Sequence, residues 1–106
     1  MSGVFEVALP PKQLSAGNRY QEFLRVPAMS AGVYVLLAGG LDRQSPHHED
    51  EIYYVVRGKA KVRIGSCESS VGPGTVVFVE AGTEHRFFDV EEELVLLVVF
   101  APAETS

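Results

Sequence analysis

The stretch "SPHHEDEIYYVVRG", residues 45–58, combines a strand pattern with a cluster of side chains that bind metals. Its second half is aromatic and β-branched, which is typical of a strand that begins near Glu51. Alternation along that strand turns Glu51, Tyr53 and Val55 inward and the residues between them outward. Because Pro46 stands before the histidines, "HHED" is predicted to be a bent loop that enters the strand.

The bend decides whether this cluster can hold an ion. Four residues of straight strand span roughly 13 Å, which is too far for two ligands with metal bonds of about 2.0–2.2 Å. His47 and Glu51 can therefore share one ion only if the loop turns. Solvated surface charge is the simpler interpretation, since acidic side chains are mostly exposed. A second stretch of the chain favours the metal site.

That second stretch is "GPGTVVFVEAGTEHRFFD", residues 72–89, in which His85 opens a strand. A histidine that faces the core together with Phe87 needs partners for its ring nitrogens, because an unpaired buried polar group is costly. His85 is therefore a candidate functional residue.

The rest of the chain also has the pattern of short strands, and no window sustains a helical apolar stripe. The predicted strands are Val4–Ala8, Glu22–Val26, Val33–Ala38, Ile52–Arg57, Lys59–Ile64, Cys67–Val71, Thr75–Val79, His85–Val90 and Leu94–Phe100. Residues 8–18, "ALPPKQLSAGN", are predicted to be irregular. Gly58 and Gly65 are expected at turns, and Glu91–Glu93 is expected to form a hairpin turn. The fold class is all-β, a sandwich or a barrel.

Two strands indicate how the core is built. Lys59–Ile64 alternates between basic and apolar residues, as a half-buried strand does. "LVLLVVF", Leu94–Phe100, is apolar on both faces, so it is expected inside a sheet, between sheets or against a second copy of the protein. The predicted core residues are Val55, Val62, Val77, Phe87 and Leu96.

The composition limits the classes of partner. The 106 residues are predicted to form one domain, residues 1–106, and 46% of them are hydrophobic, which suffices for a core. Fourteen acidic residues against nine basic ones give a formal charge of −5 without any basic run. We therefore expect neither nucleic acid nor an anionic membrane as a partner.

The compartment is predicted from three features. The single cysteine, Cys67, cannot form an internal disulfide, which favours a reducing compartment, and we expect it to be a small buried residue. The N-terminal sequence lacks the basic and apolar regions of a signal peptide. The longest apolar run, Leu94–Phe100, is too short to cross a bilayer. The prediction is a cytoplasmic protein.

Together the two stretches resemble the two motifs of the cupin family, at residues 40–58 and 74–89. In the first motif, Gly58 falls seven residues after Glu51 and His47 falls four residues before it, as the family pattern requires. In the second motif, Gly74, Gly82 and His85 are in register, with Glu80 where proline is usual and Asp89 where asparagine is usual. The resemblance implies a double-stranded β-helix, the jelly-roll barrel of cupins, with one metal ion inside.

The resemblance also implies the metal ligands. Glu51 matches the acid, His47 the second histidine of the first motif, and His85 the histidine of the second motif. The position of the first histidine is Ser45, which is a poor ligand. One interpretation is therefore a site of three ligands, and another is a site that has lost its metal.

A third interpretation is a rearranged site that uses His48 or Gln44 as an extra ligand, because neutral imidazole binds metals readily. Without that role, His48 is expected to be a loop residue that faces solvent. The resemblance makes Tyr53 a candidate wall of the substrate pocket, together with Phe87 on the strand that follows His85.

Two imidazoles and one carboxylate leave coordination positions open for dioxygen or substrate. The predicted function is therefore a cupin that binds one divalent ion (Fe, Mn, Zn or Ni) and acts on a small organic molecule inside the barrel, with dioxygenase-type chemistry. The alternative is a non-catalytic module that binds a small ligand, or a structural dimer. A homodimer is expected in either case, because Leu94–Phe100 offers an apolar face that a closed two-fold contact would bury.

Overall fold

A computed structural model describes residues 2–7, 19–42 and 46–105, and no helix is found among them. The strands are β1 (Arg19–Val26), β2 (Met29–Leu36), β3 (Asp50–Ile64), β4 (Cys67–Val71), β5 (Val76–Val79) and β6 (His85–Ala101). The strand order is β1-β2-β6-β3-β4, and β5 pairs with β3 as well. All of these pairings are antiparallel. The predicted all-β class is confirmed.

The two longest strands each join two predicted strands. β3 runs through Gly58, and β6 runs through Glu91–Glu93, so both predicted turns at these places are wrong. The β3–β6 register shifts on both sides of Arg57 and again after Lys59, which marks bulges where the strands bend without ending. At Gly58 the backbone has a φ of 104°, and a Cβ atom would collide with the carbonyl oxygen of Glu93. Glycine serves here for close approach of two strands, although Gly65 does lie at a turn, as predicted.

The inner faces of these strands form the main core. The predicted core residues are all buried, with at most 6% of their surface exposed: Val55, Val62, Val77, Phe87 and Leu96. Alternation along β3 is also confirmed, because Glu51 and Tyr53 are buried while Ile52 and Tyr54 are exposed.

A second apolar cluster lies on the opposite, outer face of β2 and β6. Val33, Val35 and Val95 are buried there, and Val7 packs against them. Residues 4–7 form no strand, so the prediction of a strand at Val4–Ala8 is wrong for these residues, and Val4 is almost fully exposed. Ala8 and the rest of the predicted irregular segment, residues 8–18, lie outside the described residues.

Four large apolar side chains remain exposed on the outer face of β3 and β5: Ile52, Tyr54, Val76 and Phe78. We call these four residues the outer apolar face. Cys67 is also exposed, so the prediction that it is buried is wrong. Its strand, β4, is a polar strand in which only Val71 is buried. Among the described residues, no helix is long and apolar enough to span a membrane.

Candidate metal centre

Three elements bring the candidate ligands together. His47 lies in the loop before β3, Glu51 is the second residue of β3, and His85 is the first residue of β6. One potential ligand atom from each residue lies within 4.8 Å of the other two. Strand pairing brings His85 to Glu51. Glu51 pairs with Val79, the last residue of β5, and a short turn after Val79 leads to His85 at the beginning of β6.

The loop that carries His47 is held against that turn. The backbone N–H of Gly82 donates to the carbonyl oxygen of His47 at 2.8 Å. The backbone N–H of Ala81 donates to the Asp50 carboxylate at 2.9 Å. These contacts bend the chain, so that His47 Nε2 lies 4.0 Å from Glu51 Oε1. The predicted turn of "HHED" is therefore confirmed, since a straight strand would separate the two residues by about 13 Å.

The hydrogen bonds around His85 determine which ring nitrogen faces the cluster. Its Nδ1–H donates to the carbonyl oxygen of Thr83 at 2.9 Å, because a carbonyl oxygen can only accept. In the neutral ring, Nε2 is then an unprotonated acceptor, and it lies 3.1 Å from Glu51 Oε1. Tyr53 places its hydroxyl 3.1 Å from the same Nε2 and can donate to it.

The donor set fits a divalent metal ion. Glu51 Oε1 is buried without a hydrogen-bond partner among the described residues. It faces the lone pair of a neutral imidazole, and two acceptors this close in a buried site repel each other. A cation between them removes that repulsion, and imidazole and carboxylate are ordinary ligands of divalent transition metals.

Without a cation, a proton serves the same purpose. Burial by itself lowers the pKa of His85, but it is outweighed by the hydrogen bond that a protonated Nε2 would donate to the Glu51 carboxylate and by the hydrogen bond to the Thr83 carbonyl. The pKa of His85 is therefore raised above its ordinary value. A positive charge, carried by a proton or a metal, is what the two buried groups favour.

The predicted pocket walls lie beside His85. Tyr53 and Phe87 are each 1% exposed and pack edge to face, with ring centroids 4.9 Å apart. Their contact with a substrate remains a prediction. His48 is exposed and does not belong to the convergent cluster. Gln44 and Ser45, the other positions considered for ligands, lie outside the described residues.

The sequence interpretation missed four residues near the ligands. Phe100 packs edge-on against the His47 ring at 5.0 Å. Tyr20 packs against Phe100. The pKa of the Tyr20 phenol is raised, mainly by burial and also by the negative charge of Glu104. The Glu104 carboxylate lies 3.5 Å from His47 Nδ1. No local pattern marks these residues, because each contact joins distant parts of the chain.

Asp42 is the fourth missed residue. Its carboxylate is 7% exposed, accepts from the Tyr34 hydroxyl at 2.7 Å and accepts from the backbone N–H of Phe87 at 2.8 Å. It therefore joins the loop after β2 to the beginning of β6, two residues from His85. Its sequence signal is weak, because one of its partners is a backbone group.

Comparison with known proteins agrees with this architecture. A family model described as "Cupin domain" matches residues 32–100, which include all three candidate ligands. An uncharacterized protein of Streptomyces coelicolor is 46% identical over 97 residues, which cover 92% of both chains.

Solved structures give the same fold. The protein TT1209 from Thermus thermophilus is 29% identical, with a TM-score of 0.74 over 82% of this chain and 85% of that one. The cupin domain of Cnp3 from Schizosaccharomyces pombe is 20% identical, with a TM-score of 0.80 over 92% of this chain and 73% of that one. The predicted double-stranded β-helix is confirmed.

Proposed function

The chain belongs to the cupin-domain family, and on that premise we propose that it is an enzyme that binds one divalent ion through His47, Glu51 and His85. The observation that supports this is the convergence of the three ligand atoms, with Glu51 Oε1 buried and without a hydrogen-bond partner in the part of the chain that the structure describes. A buried acceptor of this kind is costly unless a ligand satisfies it.

The reaction that this donor set supports best is dioxygenase-type chemistry on a small organic molecule inside the barrel. When bound, the ion would polarise oxygen atoms of the substrate and, as iron, activate dioxygen. Iron is our preferred metal, with manganese, zinc and nickel as the other candidates. Two histidines and one carboxylate leave positions free for both reactants.

The chain's own residues prepare this site for a ligand. Thr83 holds the His85 ring in one orientation through Nδ1. The Tyr53 hydroxyl lies 3.1 Å from His85 Nε2, so it is placed to donate to a substrate oxygen that binds beside this ligand. Phe100 packs against the His47 ring and Phe87 packs against the Tyr53 ring, so both supply apolar surface next to the cluster.

The second candidate is a non-catalytic cupin that binds a small ligand or serves as a structural dimer. The observation in its favour is Ser45, which stands where the family motif has its first histidine. We also propose a cytoplasmic location, which the single cysteine supports, because disulfides are rare in that compartment.

Metal analysis of protein purified without a histidine tag tests the proposal. About one equivalent of iron or manganese per chain is expected. Nitric oxide, added to the iron-loaded protein as a substitute for dioxygen, should give the EPR signal of a high-spin ferrous nitrosyl. Zinc or nickel alone would support the site but not the dioxygenase assignment. A protein that takes up no divalent metal would contradict the enzyme and favour the binding module.

For assembly, we propose a homodimer formed through the outer apolar face. The structure changes the surface that was expected to pair, because Leu94, Leu96, Val98 and Phe100 are buried in the chain's own core. The outer apolar face lies next to them, since Tyr54 pairs with Leu97 in the β3–β6 ladder. Such a patch is typical of an interaction site.

The arrangement of the outer apolar face suits a second copy of the chain. Ile52 pairs with Phe78 and Tyr54 pairs with Val76, so the two aromatic residues occupy opposite corners of the patch. A two-fold axis parallel to β3 and β5 would place each aromatic ring on an aliphatic side chain of the partner. Closed two-fold symmetry is the commonest form of assembly for such a self-complementary surface.

A further inference from the structure

The segment that follows β6 lies against the loop of His47. Glu104 places Oε2 3.5 Å from Nδ1 of the imidazole, while Nε2 of the same ring lies 4.0 Å from Glu51 Oε1. The two ring nitrogens therefore face two different carboxylates. One of these carboxylates belongs to the ligand cluster, and the other lies outside it.

Three consecutive residues anchor this segment. The backbone N–H of Ala103 donates to the carbonyl oxygen of Pro27 at 3.4 Å. The backbone N–H of Glu104 donates to Ser30 Oγ, a fully buried hydroxyl, at 2.9 Å. Thr105 donates to Glu49 Oε2 through its backbone N–H at 3.2 Å and its hydroxyl at 2.7 Å.

Glu49 links the segment after β6 to the loop of His47. It is 3% exposed and lies only two residues from His47, so the last contact joins the segment to the same loop that carries the ligand. The Glu104 carboxylate is itself largely buried, with 17% of its side chain exposed. A carboxylate held at both neighbouring residues has little freedom to leave the ring.

We propose that Glu104 is a positioning residue for His47, which accepts a hydrogen bond from Nδ1–H and so directs the unprotonated Nε2 towards Glu51 and His85. This rests on the proposed metal site. A neutral imidazole carries one N–H, and an acceptor beside Nδ1 selects the tautomer with the lone pair on Nε2. Metal-binding histidines commonly donate their second nitrogen to such a carboxylate.

The same logic already holds for His85, whose Nδ1–H donates to the Thr83 carbonyl. Glu104 would orient the ring of His47, which is partly buried, as the Thr83 carbonyl orients the fully buried ring of His85. The distance of 3.5 Å is longer than a full hydrogen bond, and a small rotation of the carboxylate closes it. Contacts of this kind often tighten only when the site is filled.

The tautomer of His47 can be measured in the metal-free protein. Long-range ¹H–¹⁵N spectra at a pH of about 8, above the ordinary histidine pKa of about 6.5, report the protonated nitrogen of each ring, and the chain has only three histidines to assign. Wild type should show Nδ1–H at His47. E104A should shift the ring to a mixture, while E104Q, which keeps an acceptor oxygen, should retain Nδ1–H.

Metal affinity provides the second readout. In a competition assay against a chelating dye with Zn²⁺ as the probe, E104A should weaken binding about 10- to 100-fold, and E104Q by less. E92A, which removes an exposed glutamate of β6, is the matched control and should bind as wild type does.

The two readouts separate the failure of this inference from the failure of the metal site. If wild type binds no Zn²⁺, the proposed function fails, and the tautomer of His47 alone then tests the contact with Glu104. An unchanged tautomer in E104A overturns the positioning role, and so does an affinity within twofold of wild type in a protein that binds metal.

Discussion

The two halves of β3 differ in which kinds of side chain they bury. In residues 59–64 the basic side chains face outward and the apolar ones inward, as in any half-buried strand. We call residues 59–64 the ordinary half and residues 50–54 the reversed half, because in the latter Glu51 is buried while Ile52 and Tyr54 are exposed, so that three positions depart from the usual order. A buried charge and an exposed apolar patch are the observations that need a cause, whereas the ordinary half needs none.

The ordinary half borders a cleft in which Lys61 already has Asp89 as a partner. A cleft of about 520 Å³ lies along the ordinary half and is lined by residues such as Lys59, Lys61 and Asp89. Lys61 and Asp89 are well exposed and lie 3.8 Å apart, so water and the opposite charge already satisfy them. In the reversed half, by contrast, the buried acceptor Glu51 Oε1 has no hydrogen-bond partner among the described residues.

The largest expected effect tests the inner face of the reversed half. H85A should abolish stoichiometric metal binding and leave the β-rich circular dichroism spectrum in place, because one of three ligands is lost. Metal content is measured by mass spectrometry. H48A is the matched control, since His48 is the exposed neighbour of a ligand and should retain a full equivalent. If H85A binds metal as tightly as wild type, the three-residue assignment is wrong.

The next effect tests the outer face of the same half. Sedimentation at micromolar concentration, with a reductant to keep Cys67 unpaired, should give twice the chain mass of 11.5 kDa. F78K should reduce the mass to that of the single chain, because the charge would be buried in the contact. L41K changes an equally exposed apolar residue elsewhere and should leave the dimer intact. A wild-type monomer would refute the proposed interface.

A smaller effect is expected in the core beneath the strand. L96A should lower the free energy of unfolding by about 2–4 kcal/mol, because Leu96 is fully buried and pairs with Val55 on β3. K61A, in the ordinary half, should change it by less than about 0.5 kcal/mol. Chemical denaturation measures both. A change below about 0.5 kcal/mol for L96A would contradict the placement of β6.

The smallest effect is a pH dependence of the metal-free protein. The raised pKa of His85 means that the folded chain holds a proton that the unfolded chain releases above about pH 6.5. This contribution to stability is complete below that pH and is lost as the pH rises through the folded pKa. Urea midpoints at a series of pH values should therefore decline over this window. H85N should flatten the decline, and an equal decline in H85N would assign it to another group.

The inner and outer faces of β3 were predictable from the sequence, because alternation needs only local residue types. The cupin motifs likewise identified His47, Glu51 and His85, which the structure brings together. The bulge at Gly58 was mistaken for a turn, because glycine next to charged residues has the same sequence pattern in both.

Other features required the packed chain. The Glu91–Glu93 run looks like a turn, yet the strand continues through it as part of β6. Glu104 and Asp42 act on residues far away in sequence, so no local window contains both partners. The outer apolar face also depends on the pairing of β5 with β3, which alternation in either strand alone does not specify.

Strand β6 has a consequence for the order of folding. It contains 17 residues, and a straight strand of that length would measure over about 50 Å, whereas the longest dimension of the described chain is 39 Å. Yet the ring of His47 lies 5.7 Å from that of His85 at one end of β6 and 5.0 Å from that of Phe100 near the other. The strand must curve around the barrel before both ends reach this imidazole.

The three candidate ligands lie on separate elements between His47 and His85, so a fragment shorter than this span lacks at least one of them. We expect the metal centre to form late in folding, because His85 can meet His47 and Glu51 only after the entropy of closing a long loop has been overcome. Bound metal would then act on the native state alone, stabilise the whole barrel by mass action and slow the release of β6 from it. The ion would therefore hold the beginning of β6, at His85, against the loop of His47, in addition to its chemical role.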